Sequence, residues 1–149
     1  MSNIIDIKNR RASFEFAFID RYTAGIQLKG SEIKSIREGK AAINDAYCFL
    51  HNGELFVKAM HIAEYRNAGQ FGHVPLSDRK LLLTKKELKK LADALINKGL
   101  TIIPLRLFIT ERGFAKLDIA LAKGKKIYDK RETIKKRDTD REIRRNFRQ

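Results

Sequence analysis

Cysteine is almost absent from this sequence, which has Cys48 alone among its 149 residues. One cysteine cannot form a disulfide within the chain, and it excludes a zinc site built from several thiolates. Low cysteine use is typical of proteins in a reducing compartment, so we predict a cytoplasmic location. Cys48 itself lies in a strand-like run, which predicts a small core residue.

Long hydrophobic runs are missing as well. No segment approaches the roughly 18–20 consecutive apolar residues that a membrane-spanning helix needs. The first residues, MSNIIDIKNRRASF, contain no apolar stretch long enough for a secretion signal. The C-terminal segment lacks the leucine-rich and aromatic face of a helix that lies on lipid. These features argue against a membrane as the partner.

The motifs of catalysis and cofactor binding are also absent. The three histidines, His51, His61 and His73, have neither HxH nor HExxH spacing and no acidic cluster beside them. The chain contains no GxSxG, no P-loop and no GxGxxG. The sequence therefore predicts a protein that is not an enzyme and uses no metal or cofactor. One alternative stays open, a metal-free ribonuclease that uses His61 or His73 with a nearby lysine.

Positive charge is what the chain has in excess. It carries 32 Lys and Arg against 18 Asp and Glu, which gives a net charge of +14. An excess of this size is typical of proteins that bind nucleic acids. Because 43% of the residues are hydrophobic, the chain can still bury a core. Nucleic acid is therefore the predicted partner.

Half of this excess lies near the C-terminus. Positions 123–148 hold twelve Lys and Arg against five Asp and Glu, with few large apolar residues. Such a segment has too thin an apolar stripe to dock firmly on a domain. We predict a folded domain at residues 1–122 and a basic tail at 123–149 that is disordered when free and becomes helical on a polyanion. A solvated charged helix or a frayed end is the alternative.

Short strand patterns fill most of residues 1–122. Strands are predicted at residues 14–19, 22–28, 46–50, 54–62, 80–83, 101–110 and 114–122. Asp20-Arg21 is expected to turn the chain between the first two, and Asn52-Gly53 is a strong hairpin signal. Gly25 inside a strand predicts a bulge or a close backbone approach.

Two helices are predicted between these strands. The first is expected to start at Ser31 as N-cap and to stop at Gly39. The second has a capping box of Thr84 and Glu87 and is expected to end at Gly99. Six or seven short strands with two helices predict a mainly β, α+β fold, built as a small antiparallel barrel.

The basic residues of the folded part suit contacts with RNA phosphates, and aromatic rings suit stacking on bases. A loop of about sixteen residues at 64–79 is long for a compact domain and predicts a functional segment. It contains Tyr65 and Phe71, the predicted stacking residues. The predicted phosphate contacts are Arg10, Arg11, Lys34, Arg37, Lys40, Arg79 and Lys80.

Four separated blocks of sequence resemble the SsrA-binding protein (SmpB) family. They are GSEIKSIR at residues 30–37 with GKA at 39–41, DAY at 45–47, HVPL at 73–76 with RKLLL at 79–83, and AKGKK at 122–126 running into DKR at 129–131. Order and spacing agree from about Asn9 to the tail, so the resemblance covers nearly the whole chain.

The resemblance implies an OB-like barrel that binds the tRNA-like domain of transfer-messenger RNA (tmRNA, or SsrA RNA). Family members deliver this RNA, with elongation factor Tu, to bacterial ribosomes stalled on messages without a stop codon. The tail is implied to enter the empty mRNA channel of the small subunit, at the decoding centre, and to fold there as a helix. Translation then tags the stalled product for degradation. The alternative prediction for the function is a general RNA-binding OB protein of the ribosome.

Carried over by position, the resemblance implies two sets of contact residues. The face for the tRNA-like domain is expected to include Thr23, Lys34, Arg37, Lys40, Leu82 and Thr84, beside Arg79 and Lys80 inferred from charge. The ribosome-binding tail is expected to use Lys123, Gly124, Lys125, Lys126, Asp129, Lys130 and Arg131, with Ile143 and Phe147 as loose matches to apolar anchors. Thr23 stands where an acidic residue is common in the family, and Phe14 replaces a frequent histidine.

Overall fold

A computed structural model of the chain describes residues 5–65 and 72–125. Nine strands and three helices occur in these residues. In chain order they are β1 (Asp6–Lys8), α1 (Ala12–Glu15), β2 (Phe16–Ile26), α2 (Gly30–Arg37), β3 (Ala41–Ala42), β4 (Tyr47–His51), β5 (Glu54–Lys58), β6 (His61–Ile62), β7 (Arg79–Leu82), α3 (Lys85–Ala94), β8 (Leu100–Ile109) and β9 (Ala115–Gly124).

Six of the strands close into an antiparallel ring. The neighbours around it are β8, β4, β5, β7, β2 and β9, and β9 pairs with β8 to complete it. β1 pairs with the C-terminal half of β8, whereas β3 and β6 form a separate two-stranded ladder. The predicted mainly β architecture with an OB-like barrel is confirmed. The four-residue helix α1 and the small β3–β6 ladder were not predicted.

The core fills the inside of this ring, because alternate side chains along each strand point inward. Ile36 of α2 and Leu91 of α3 pack into the same cluster as the strand residues. The large, fully buried strand residues include Leu55, Val57, Leu81, Ile102, Leu107, Leu117 and Ile119. A smaller cluster of Ala12, Ile103, Ala120 and Ala122 joins α1 to the outside of β8 and β9.

β2 is one long strand, so the predicted turn at Asp20-Arg21 is wrong. The strand pairs with β9 from Phe16 to Gly25, with a register shift between Phe18 and Asp20. A bulge of this kind places one extra residue in a strand and bends it without reversing the chain. The extra residue of the bulge is Ile19, which is 56% exposed, whereas Asp20 and Arg21 pair with β9 directly after it.

The N-terminus of α2 also differs from the prediction. The helix begins at Gly30 with Lys29 as N-cap, and the Glu32 carboxylate accepts the Lys29 N–H at 2.8 Å. Ser31 is therefore not the cap, and its side chain is buried. The predicted stop at Gly39 is confirmed, because this residue follows the helix with φ +75 and its N–H donates to Ile36 O.

The capping box of α3 is confirmed. The Glu87 N–H donates to Thr84 Oγ1 at 3.2 Å, and the Thr84 N–H donates to Glu87 Oε1 at 3.0 Å. The helix ends at Ala94 and not at the predicted Gly99, because turns occupy the residues between them. The hairpin prediction is confirmed too, since Asn52 and Gly53 join β4 to β5 with φ of 52 and 78.

The end of β9 lies beyond the predicted domain boundary at residue 122. Lys123 pairs with both Ala17 and Leu100, and Gly124 pairs with Phe16. The Lys125 N–H then donates to Glu15 O at 2.9 Å. Lys123 and Gly124 are thus barrel residues, and the predicted tail positions from Lys126 onward lie outside the described residues.

In residues 5–65 and 72–125, every helix is too short or too polar to cross a bilayer.

Ile102→Ala is expected to lower the free energy of unfolding by about 2–5 kcal/mol, because it removes buried volume where β4 meets β8. Urea denaturation measures the change. Ile96→Ala is the matched control, since Ile96 is 79% exposed and its loss is expected to change stability by less than about 0.5 kcal/mol. Equal losses in the two variants would contradict this assignment of the core.

Candidate nucleic-acid interface

The outer face of β2, β7 and β9 carries several of the predicted contact residues. Ala24 and Leu81 point into the core, so Gly25 and Leu82 point outward. Gly25 pairs with Leu82 on one side and with Lys116 on the other. Leu82 is 50% exposed, and its Cβ lies 3.4 Å from where a Cβ on Gly25 would be. This is an ordinary van der Waals distance, so the close backbone approach predicted at Gly25 stays a prediction, and the alternative of a bulge there is wrong because Gly25 stays in register with β9.

Thr23 lies on this outer face beside a carboxylate from the next strand. Its hydroxyl donates to Asp118 Oδ1 at 2.7 Å. Asp118 Oδ2 accepts from Arg106 Nε at 3.0 Å, and Arg106 Nη1 donates to Asp6 Oδ2 at 3.2 Å. An acidic group therefore lies next to Thr23, although Thr23 itself cannot carry charge.

A cavity of about 430 Å³ opens beside Thr23. The Arg21 guanidinium lies 5.3 Å from the centroid of the Phe18 ring within this lining. Four basic residues contribute to the walls, namely Lys8, Arg10, Arg21 and Arg106. Only Arg10 was predicted as a contact. Lys8, Arg21 and Arg106 come from β1, β2 and β8. They lie together because β1 pairs with β8, and β9 pairs with both β8 and β2.

Tyr22 also lines this cavity, and its hydroxyl donates to Asp20 Oδ2 at 3.0 Å. Burial, followed by this hydrogen bond, raises the pKa of Tyr22 to about 12. The same hydrogen bond is the main cause that lowers the pKa of Asp20. Near neutral pH the phenol therefore stays protonated with its one proton donated to Asp20, and towards the cavity its oxygen can only accept a hydrogen bond.

α2 and the residues just after it carry three exposed cations, and one of them reaches the turn between β8 and β9. Arg37 Nη2 lies 3.5 Å from Gly113 O in that turn. Lys34 Nζ lies 5.4 Å from the centroid of the Tyr65 ring, so a cation covers one face of this predicted stacking residue. Lys40 Nζ contacts Glu38 at 3.1 Å. The contact of Arg37 with Gly113 joins the cations of α2 to the barrel.

Arg79 is buried, so its prediction as an RNA contact does not fit the structure. Only 3% of the residue is exposed. Nε donates to Glu32 Oε2 at 2.5 Å and Nη1 donates to Met60 O at 2.5 Å. Nη2 donates to Val74 O and Pro75 O at 3.2 and 3.0 Å. All three nitrogens thus bond to protein, and Arg79 ties α2 to the loop before β7.

His73 belongs to the same buried arrangement and is unsuited to act as a general acid or base on a substrate. Its Nε2 lies 3.0 Å from Ile62 O, and its Nδ1 lies 2.8 Å from Ser31 Oγ. Because a carbonyl oxygen only accepts, Nε2 carries the proton towards Ile62. The buried hydroxyl of Ser31 therefore positions this loop against α2.

The remaining predicted contacts have varied surroundings. Lys80 forms an ion pair with Glu54 and is half-buried, whereas Thr84 is exposed and caps α3. Arg11 pairs with Asp45 at 3.4 Å. Phe71 and the tail residues Lys126, Asp129, Lys130, Arg131, Ile143 and Phe147 lie outside the described residues. Within the described part of the chain, no group of three or more His, Cys, Asp or Glu could hold a metal ion.

Comparisons with known proteins agree over nearly the full length. The family model described as "SmpB protein" matches residues 6–149. The chain is 60% identical over 143 residues to an SsrA-binding protein of Christiangramia forsetii, covering 96% of this chain and 91% of that one. It is 49% identical over 142 residues to an SsrA-binding protein of Gloeobacter violaceus, covering 95% and 93%.

A solved structure is similar as well. Its description is "tmRNA-SmpB: a journey to the center of the bacterial ribosome". The matching chain is 39% identical, with a TM-score of 0.69, and the match covers 94% of this chain and 98% of that one.

Arg79→Met is expected to lower the free energy of unfolding by about 3–5 kcal/mol, because it leaves the Glu32 carboxylate buried without its partner. Glu32→Gln combined with Arg79→Met is expected to cost less than the sum of the two single changes. Denaturant unfolding of all four proteins measures this coupling. Lys80→Met is the control, since its ion pair is partly exposed and contributes about 1 kcal/mol or less. Additive single changes would contradict the coupling.

Proposed function

The chain belongs to the SmpB protein family, and on that premise we propose that it binds the tRNA-like domain of tmRNA and delivers it to stalled bacterial ribosomes for trans-translation. The observation that carries this proposal is the contact of Arg37 with Gly113, which brings an exposed cation of α2 next to the turn between β8 and β9. In this function the protein is a binding factor and catalyses no reaction. We place it in the cytoplasm, with elongation factor Tu as a partner in the delivery complex.

The surface suits a folded RNA better than a short linear sequence. Its cations come from a helix and from several strands, so they match phosphates that are brought together by the shape of the RNA. Lys34, Arg37 and Lys40 form one group, and the basic residues around the cavity beside Thr23 form another. Leu82, at 50% exposure, and Thr84 add an apolar and a polar contact between neighbouring elements.

Thr23 can take part through its neighbour. A threonine hydroxyl that donates to Asp118 leaves its own lone pairs free to accept, and Asp118 brings the negative charge that can accept from a base edge. The pair Thr23–Asp118 therefore offers RNA both acceptors, although Arg106 already occupies one oxygen of the carboxylate.

We further propose that the basic tail acts on the ribosome and not on tmRNA. The positions that match the family's tail runs are Lys123, Gly124, Lys125, Lys126, Asp129, Lys130 and Arg131. Because Lys123 and Gly124 lie within β9, the functional division falls after Lys125. Segments beyond that point carry the excess of positive charge that an RNA-lined channel attracts.

Lys34→Ala and Arg37→Ala are each expected to weaken binding of the tRNA-like domain several-fold and to reduce the salt dependence of log K by about one unit per lost phosphate contact. Titrations at two salt concentrations against the tRNA-like domain, an ordinary tRNA and a random duplex measure both effects. Lys58→Ala is the charge-matched control, because Lys58 is an exposed cation of β5 that belongs neither to α2 nor to the cavity beside Thr23. Equal binding of the wild type to all three RNAs, falling steeply with salt, would refute shape recognition.

Truncation after Lys125 is expected to leave the affinity for tmRNA nearly unchanged and to abolish tagging of stalled chains. The reason is that every strand of the ring is retained, whereas the tail residues proposed to probe the mRNA channel are lost. A binding titration and a tagging assay on purified ribosomes measure the two effects separately. Loss of most of the tmRNA affinity would contradict this division.

A further inference from the structure

We infer that Phe114 is a stacking platform for an unpaired nucleobase of the RNA that this protein binds. The inference rests on the proposed function and names a contact within it. Phe114 lies in the turn between β8 and β9, directly before the first residue of β9.

Phe114 is unusually exposed for a large aromatic residue. Its relative exposure is 63%, and among the described residues the other aromatic side chain with high exposure is Tyr47 at 43%. An exposed phenylalanine loses contact with water only when something covers it, so covering this ring is favourable by itself.

The exposure does not come from a loose loop. Phe114 O accepts from the Thr110 N–H at 2.8 Å, and the Phe114 N–H donates to Thr110 Oγ1 at 3.1 Å. Gly113, with φ +90, supplies the left-handed conformation of the turn, and its N–H donates to Thr110 O at 2.8 Å. The turn therefore holds the ring outward on a fixed backbone, which lowers the entropy lost when a base stacks on it.

Basic residues neighbour Phe114 in the turn and along the strand, and their charge favours a nucleobase over an apolar protein segment as the ligand. Arg37 Nη2 lies 3.5 Å from Gly113 O, one residue before Phe114. Arg112 is exposed in the same turn, and Lys116 follows two residues later on the same outward face of the strand. Against these three cations the turn has one acid, Glu111. An exposed ring in a turn that carries several cations suits a base together with the phosphates on either side of it.

The base has to be unpaired. Within an RNA helix both faces of a base are covered by its neighbours, so a side chain can stack only on a base in a loop, a bulge or an end. The inference therefore assigns to Phe114 a single-stranded nucleotide of the folded RNA, whereas the cations of α2 hold phosphates.

Phe114→Ala is expected to weaken binding of the tRNA-like domain by about fivefold to a hundredfold, the range for loss of one base–aromatic stack. Since phenylalanine has no charge, the slope of log K against log salt is expected to stay unchanged, unlike that of Arg37→Ala. Phe114→Trp keeps a stacking face and is expected to retain the affinity. Ile96→Ala removes an apolar side chain that is 79% exposed and distant from the turn in sequence, and it is expected to leave binding unchanged.

The outcomes separate this inference from the proposed function. An affinity of Phe114→Ala equal to that of the wild type would overturn the stacking role. A reduced slope of log K against log salt in that variant would also overturn it, because it would mean that the ring only positions Arg37. If the wild type shows no preference for the tRNA-like domain, the proposed function fails, and the same Phe114 variants on whichever RNA binds still decide the stacking role. Unchanged thermal midpoints in all variants verify that only binding is compared.

Discussion

The buried ion pair between Glu32 and Arg79 is the interaction on which the position of α2 depends. It joins a helix to the strand β7 across 47 positions of sequence, and Arg79 also bonds to carbonyls at Met60, Val74 and Pro75. A buried charge is tolerated only when its partner and further hydrogen bonds are in place. Here every guanidinium nitrogen is occupied. The helix that presents Lys34 and Arg37 is therefore held in one place before any RNA arrives.

Closure of the barrel likewise fixes the positions of the side chains on its outer face. β9 pairs with β2 and β8 along nearly its whole length, so outward side chains from distant parts of the chain form one face. Thr23, Asp118 and Arg106 become neighbours for this reason, and a cavity with basic walls opens beside them. Gly113, in the turn that joins β8 to β9, lies next to Arg37 of α2. The sheet and the helix thus contact each other at this turn.

A count of basic residues in the sequence overestimates how many of them can contact RNA. Arg79 is inside the protein, whereas Lys80, Lys40 and Arg11 each contact an acidic side chain near the surface. Exposed pairs of this kind contribute little to stability, so those lysines and arginines can exchange a carboxylate for a phosphate at small cost. Arg79 cannot, because its release would leave Glu32 buried and unpaired. The difference between these residues lies in burial and not in residue type.

Local patterns by themselves determined much of this protein. The capping box of Thr84, the hairpin at Asn52-Gly53, the stop at Gly39 and the alternating strands depend on residues a few positions apart, and family resemblance in separated blocks indicated the OB-like barrel. Tertiary structure decided the rest. Asp20-Arg21 continues β2 after a bulge at Ile19, because β9 pairs on both sides of that bulge. Ser31 contacts His73, 42 positions away, instead of capping its helix. The burial of Arg79, and the cavity that Lys8, Arg21 and Arg106 line together, have the same cause. Strands and loops far away in sequence set the surroundings of these residues. Short-range periodicity carries no information about such distant neighbours.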